Sequence, residues 1–195
     1  MSQQFTRILS HHDIAEIVSR VGVDTFMREL INRLQKGFCE YSTSEFEIPV
    51  RAGFQYKKPA PGLIEWMPLH RREHSVFIKT VGYHPTNPSV RHTPTVTSIF
   101  NLFDPTDGHL TAVADGALLT AMRTGAASAV ATRLLAKTSS PVALGLIGCG
   151  AQAVTQLHGI MQVADVAEIR IYDTDESVSQ SFAERAASIL SLIHI

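Results

Sequence analysis

Val142-Ala143-Leu144-Gly145-Leu146-Ile147-Gly148-Cys149-Gly150-Ala151-Gln152-Ala153 is an apolar run that ends in Gly-x-Gly-x-x-Ala and leads into a helix-like segment. The order predicted is strand, tight turn, helix N-terminus. In such a turn the first glycine, Gly148, reverses the chain. The second, Gly150, lets a pyrophosphate approach the backbone. The third position, Ala153, must be small so that helix and strand pack closely. The helix start, Ala151 and Gln152, presents unpaired N–H groups and partial positive charge to phosphates. A glycine turn alone is weak evidence, but this one has its context. A second strand, Glu168 to Tyr172, ends at Asp173, about 20 residues on, where a ribose-binding carboxylate belongs. The pattern implies a nicotinamide dinucleotide site; the plainer alternative is an ordinary strand–turn–helix.

The motif begins near residue 145 of 195, whereas a complete dinucleotide fold has two mononucleotide halves. The sequence therefore predicts one such half. The apolar end, Ser188 to Ile195, reads as that of a truncated frame. Ahead of the motif, Ser10-His11-His12-Asp13 starts a helix, and Asp24 is placed to cap a longer one through Cys39, with Phe26, Leu30, Ile31, Leu34 and Phe38 as its apolar stripe. Residues 47–114 alternate β-rich runs with Pro/Gly turns: Ile48–Phe54, Leu63–Met67, Val76–Val81, Thr95–Phe103 and His109–Ala114, the last two joined as a hairpin by residues 104–108. Leu118 to Leu135 is an alanine-rich helix, and Lys137 to Pro141 a linker. The fold class predicted is α/β. An α+β domain over residues 1–138, for substrate and dimerisation, precedes a partial Rossmann-type doubly wound parallel sheet over 139–195.

Composition narrows the function. With 45% apolar residues the chain can build a sizeable core, and a net charge of −1 gives no electrostatic case for nucleic acid. Nothing is long and apolar enough for a membrane span, and no signal peptide opens the sequence, so a cytoplasmic protein is expected. The two cysteines, Cys39 and Cys149, are far apart, and the nine histidines lack ligand spacing, so neither a disulfide nor a metal site is expected. Cys149 reads as a small filler.

Four polar residues interrupt apolar or small-residue patterns: Arg51, Lys79, Thr95 and Arg123. A desolvated arginine such as Arg123, among alanines, would need a carboxylate or phosphate. Alternatively, each cation reaches water from a strand edge or helix rim. His84 is either catalytic or structural, and Glu65 either faces outward or is a pocket acid.

Arg51-Ala52-Gly53-Phe54, Gly62-Leu63-Ile64-Glu65-Trp66-Met67-Pro68, Ile78-Lys79-Thr80-Val81-Gly82-Tyr83-His84-Pro85, Pro94-Thr95-Val96, Leu119-Thr120-Ala121-Met122-Arg123-Thr124-Gly125 and the glycine turn occur in this order. The set resembles the ornithine cyclodeaminase/mu-crystallin family. The resemblance implies that Arg51 and Lys79 hold an amino-acid substrate. It also implies that Thr95, Arg123, Gly148, Gly150, Ala151, Gln152 and Asp173 contact NAD, with an acid at Asp173 disfavouring a 2′-phosphate. The activity implied is conversion of L-ornithine to L-proline and ammonia, through hydride transfer and imine cyclisation, in a homodimer. Related activities are keto-acid or imine reduction, as in alanine dehydrogenases, and the cofactor and ligand binding of the mu-crystallin branch. The family's acid/base aspartate belongs to the second half of the nucleotide domain. No residue here fills that role, so this chain alone is expected to be inactive.

Overall fold

The computed structural model describes residues 5–41, 45–136 and 141–187. The expected linker, apart from Pro141, and the apolar end from Ser188 lie outside them. The chain forms two compact units, one comprising Met1–Ile17 with Glu40–Thr120, the other Val18–Cys39 with Ala121–Ile195.

The first unit is built on β1 (Arg7–Leu9), β2 (Phe46–Glu47), β3 (Ala52–Tyr56), β4 (Gly62–Arg71), β5 (Ser75–Tyr83), β6 (Val96–Phe103) and β7 (Leu110–Asp115). They form one sheet in the order β1-β7-β6-β5-β4-β2, with β3 also on β4. All pairs are antiparallel except β1 with β7. The β6–β7 hairpin is as read: Asp104 Oδ1 accepts the Thr106 N–H at 2.8 Å, and Gly108 takes φ +77°. Of the run expected over Ile48–Phe54, only Ala52–Phe54 is strand, the start of β3. Residues 48–51 fall between β2 and β3, where Pro49 has no N–H to give a ladder. Two helices complete the described part: α1 (His11–Val21), which spans the boundary between the units, and a short α3 (Asn87–Arg91) where a plain loop was expected.

The second unit contains α2 (Val23–Glu40), most of α4 (Ala117–Leu135), β8 (Val142–Ile147), α5 (Ala151–Met161), β9 (Val166–Tyr172), α6 (Glu176–Gln180) and α7 (Phe182–Ala187). β8 and β9 are parallel with α5 between them, the strand–helix–strand unit expected. Its core joins Cys149, Ala153, Val154 and Leu157 to Phe182 and Ala186.

These units cut across the sequence boundary at residue 138, because α2 belongs with α4 and α5. Asp24 does not cap: it lies inside the first turn, and Oδ1 meets Nε2 of the buried His158 at 2.7 Å. Arg133 on α4 donates to Asn32 and Gln35 on α2. Met27 and Ile31 are fully buried, whereas Phe38, read as part of the stripe, is exposed.

Candidate functional site

The sheet of the first unit sorts its side chains by register. Lys79 on β5 lies opposite Met67 on β4 and Phe100 on β6, and Glu65 lies opposite Val81. Directly paired residues share a face, and so do residues two apart. Glu65, Lys79 and Phe100 therefore occupy one face, with the Lys79 ammonium 6.0 Å from the centre of the Phe100 ring. The start of α4 is seated on this face, where Ser98 Oγ meets Thr120 Oγ1 at 2.9 Å.

Arg51 is not in a strand. It sits in the connection just before β3, largely exposed, with Nη1 3.8 Å from Oε2 of the three-quarters-buried Glu65 side chain. Glu65 thus lies on the Lys79 face and is drawn in from solvent, whereas the sequence left open whether it faces outward. A period of two says only that Glu65 and Trp66 face opposite ways; register against β5 decides which of them joins Lys79.

His84 belongs elsewhere. Its Nε2 lies 2.8 Å from the Tyr56 hydroxyl, and its ring covers the space beside Gly62 that a side chain would need. Tyr56 is opposite Gly62, on the face away from Lys79 and Glu65. These contacts give His84 a packing role on that face, where it and Tyr56 also line a cavity. Its N–H donates to the Thr95 carbonyl at 2.8 Å, which fixes Thr95 immediately before β6 instead of within it.

In the second unit the glycine turn has the geometry its sequence demands. Gly148 takes φ +92°, a left-handed conformation costly for any residue with a Cβ. Gly150 caps α5 with φ −66° and ψ −175°, and a Cβ there would meet nothing within 4 Å. An open seat at a helix N-terminus is what an approaching phosphate requires. Ala153 is buried beneath it. The Gln152 side chain is engaged in packing: Nε2 donates to the Ala121 carbonyl of α4 at 3.0 Å. Arg123, two residues after Ala121, is exposed, in keeping with the alternative that it reaches water from the helix rim.

Asp173 ends β9 beside the turn. Its Oδ1 accepts the Asp175 N–H at 3.0 Å, and its Oδ2 accepts the Cys149 N–H at 2.7 Å. These donors, Asp175 foremost, hold its carboxyl below the usual carboxylate range, so it is ionised near neutral pH. The fully buried Cys149 fills space, with Sγ 3.6 Å from the Tyr172 carbonyl. The turn, the empty seat at Gly150 and the ionised Asp173 fit an adenine dinucleotide without a 2′-phosphate.

A sequence profile described as the ornithine cyclodeaminase/mu-crystallin family matches residues 11–192. The chain belongs to this family. It is 43% identical over 183 residues to the L-lysine cyclodeaminase of Streptomyces rapamycinicus, covering 93% of this chain and 53% of that protein. Among solved structures, a lysine cyclodeaminase studied for recognition of L-lysine, L-ornithine and L-2,4-diaminobutyric acid superposes with a TM-score of 0.88 at 47% identity. The match covers 94% of this chain and 54% of that one. The Δ1-pyrroline-2-carboxylate reductase of Thermococcus litoralis, solved with NADH and L-proline, gives 0.83 at 32% identity, covering 95% and 55%. The chain thus spans about half the length of these family members.

Proposed function

We propose that this chain supplies the amino-acid anchor and the first half of the NAD site of a cyclodeaminase acting on an L-α,ω-diamino acid, L-ornithine or L-lysine. The observation that carries this reading is the charge pattern of Glu65 and Lys79 on one sheet face, with Arg51 reaching Glu65 from the connection before β3. Two cations, Arg51 and Lys79, and one acid, Glu65, match a substrate with one carboxylate and a distal ammonium. The likeness to lysine cyclodeaminase supports it.

In this reading the Arg51 guanidinium pairs with the α-carboxylate, whose two oxygens suit its planar fork. Lys79 adds fixed positive charge on the same face, favouring electron density drawn toward the carboxylate. Glu65 holds the distal ammonium of the incoming substrate. NAD, when bound, supplies a hydride acceptor at the α-carbon and later the hydride donor. Ring closure by the distal amine expels the α-nitrogen as ammonia. Gly148, Gly150, Ala151 and Gln152 cradle the pyrophosphate, Asp173 takes the ribose, and Thr95 and Arg123 complete the cofactor contacts. The protein is proposed to work as a homodimer, as the family resemblance implies.

The test is ammonia release from L-ornithine and L-lysine by this chain joined to the C-terminal half of the Streptomyces enzyme. Absence of ammonia with both, from a folded protein that binds NADH, overturns the reading. Glu65→Gln in that protein is expected to raise KM for the diamino acid about tenfold, the loss of a charge-assisted contact. An unchanged KM removes Glu65 from the site. NADH is expected to bind at least about tenfold more tightly than NADPH, because a 2′-phosphate would face the Asp173 carboxylate. Equal affinities by fluorescence titration contradict that role.

A second reading, a reductase of cyclic imines, is favoured by the likeness to the pyrroline-2-carboxylate reductase. Glu65 separates the two, since a cyclic imine acid has no distal ammonium to hold.

A further inference from the structure

The glycine turn is gripped from two sides by opposite charges. Asp173 takes the N–H of Cys149. From 36 residues further along, Arg185 on α7 donates through Nη2 to the Cys149 carbonyl at 2.6 Å. The same nitrogen donates to the Val178 carbonyl at 2.8 Å, and Nε donates to Ser181 Oγ at 3.2 Å. The guanidinium also lies 5.6 Å from the centre of the Phe182 ring, itself part of the buried core. Arg185 is thus fixed by Val178 on α6, by Ser181 between the two helices and by Phe182 on its own helix, and what it fixes in turn is the loop.

We propose that Arg185 is a positioning residue for the dinucleotide pyrophosphate, acting through the Cys149–Gly150 peptide; the proposal rests on the NAD reading above. A trans peptide points its C=O and N–H in opposite directions. The cis peptide recorded in the described chain is Lys58–Pro59, so the Cys149–Gly150 peptide is trans. Holding the Cys149 carbonyl toward α7 therefore turns the Gly150 N–H away from α7. Asp173 fixes the preceding peptide in the same manner. Without the two grips, a turn of two glycines around one small residue would sample many conformations, and binding would have to order it. The grip makes the phosphate-facing amides ready before the cofactor arrives. A planar guanidinium suits the task, since it serves two carbonyls and a hydroxyl at once, which a lysine ammonium on a flexible stem does not do in a fixed geometry.

The experiment compares the full chain with Arg185→Met, which keeps the stem over Phe182 and removes the donors. NADH affinity and amide hydrogen exchange are both read. R185M is expected to weaken NADH about tenfold and to accelerate exchange at Cys149, Gly150 and Ala151, with exchange in β8 and β9 unchanged. A general loss of structure would instead accelerate exchange in the strands too. A folded R185M that binds NADH within twofold of the parent chain, or whose loop amides exchange at the parent rate, overturns the proposal. Should R185M fail to fold, Arg185→Gln, which retains one donor, is read the same way, with a threefold weakening expected. If the parent chain does not bind NADH, the dinucleotide reading falls and takes the positioning role with it. If the parent binds and R185M binds equally well, only the role of Arg185 falls.

Discussion

Gly150→Val is expected to abolish NADH binding while leaving the fold of the chain intact. Gly150 has φ −66° and ψ −175°, an extended conformation that valine adopts without strain, and the space beside it is empty. Nothing in the protein opposes the side chain. The cofactor does, because that space is the seat at the start of α5 where the pyrophosphate must come against the backbone. The expected result is a circular dichroism spectrum and a melting temperature close to those of the parent, with NADH affinity lowered at least about a hundredfold, some 3 kcal/mol of lost phosphate contact. Retained affinity would place the dinucleotide somewhere else.

Gly125→Ala is expected to have the reverse profile, with the fold itself damaged. A Cβ at Gly125 on α4 would fall on the Thr155 carbonyl of α5, and one at Gly159 on the Gly125 carbonyl. The two helices cross backbone against backbone, so no flexible side chain can move aside. Forcing extra atoms into such a contact costs about 3 kcal/mol, and more if the helices must separate. For a chain of this size that lowers the melting temperature on the order of 10 °C. Gly37→Ala is the control. It lies in α2 with nothing within 4 Å of a Cβ, so alanine there should stabilise by about 0.5–1 kcal/mol. Equal effects at the two positions would contradict the close crossing.

The sequence was most legible where its information is local. The glycine turn, the parallel strand ending at Asp173, the alanine-rich helix and the β6–β7 hairpin each announce themselves within a dozen residues, and each stands where it was read. What stayed hidden depends on partners distant in the chain. Asp24 looked like a cap because its partner, His158, is 134 residues away. Arg51 looked like a strand residue because β-rich neighbours flank it, yet Pro49 breaks the run. Arg123 among alanines could be read as desolvated or as reaching water, and the structure leaves its side chain exposed beside the buried Ala126 and Val130. Arg185 gave no signal at all, since nothing in the last helix of the described chain marks it as a partner of the turn. That Glu65 shares a face with Lys79 needed the register of β4 on β5, and that Arg51 reaches Glu65 needed the fold of the connection before β3.

The proposed reaction is a ring-closing deamination in which NAD is used and returned. The measurement that tests it most directly follows ammonia and NADH absorbance together, in this chain joined to the C-terminal half of the Streptomyces enzyme, with L-ornithine or L-lysine in large excess over NAD. The expected result is ammonia in many equivalents of NAD with no accumulating NADH. Ammonia matched one-for-one by NADH would contradict it and show a dehydrogenase that releases its reduced cofactor.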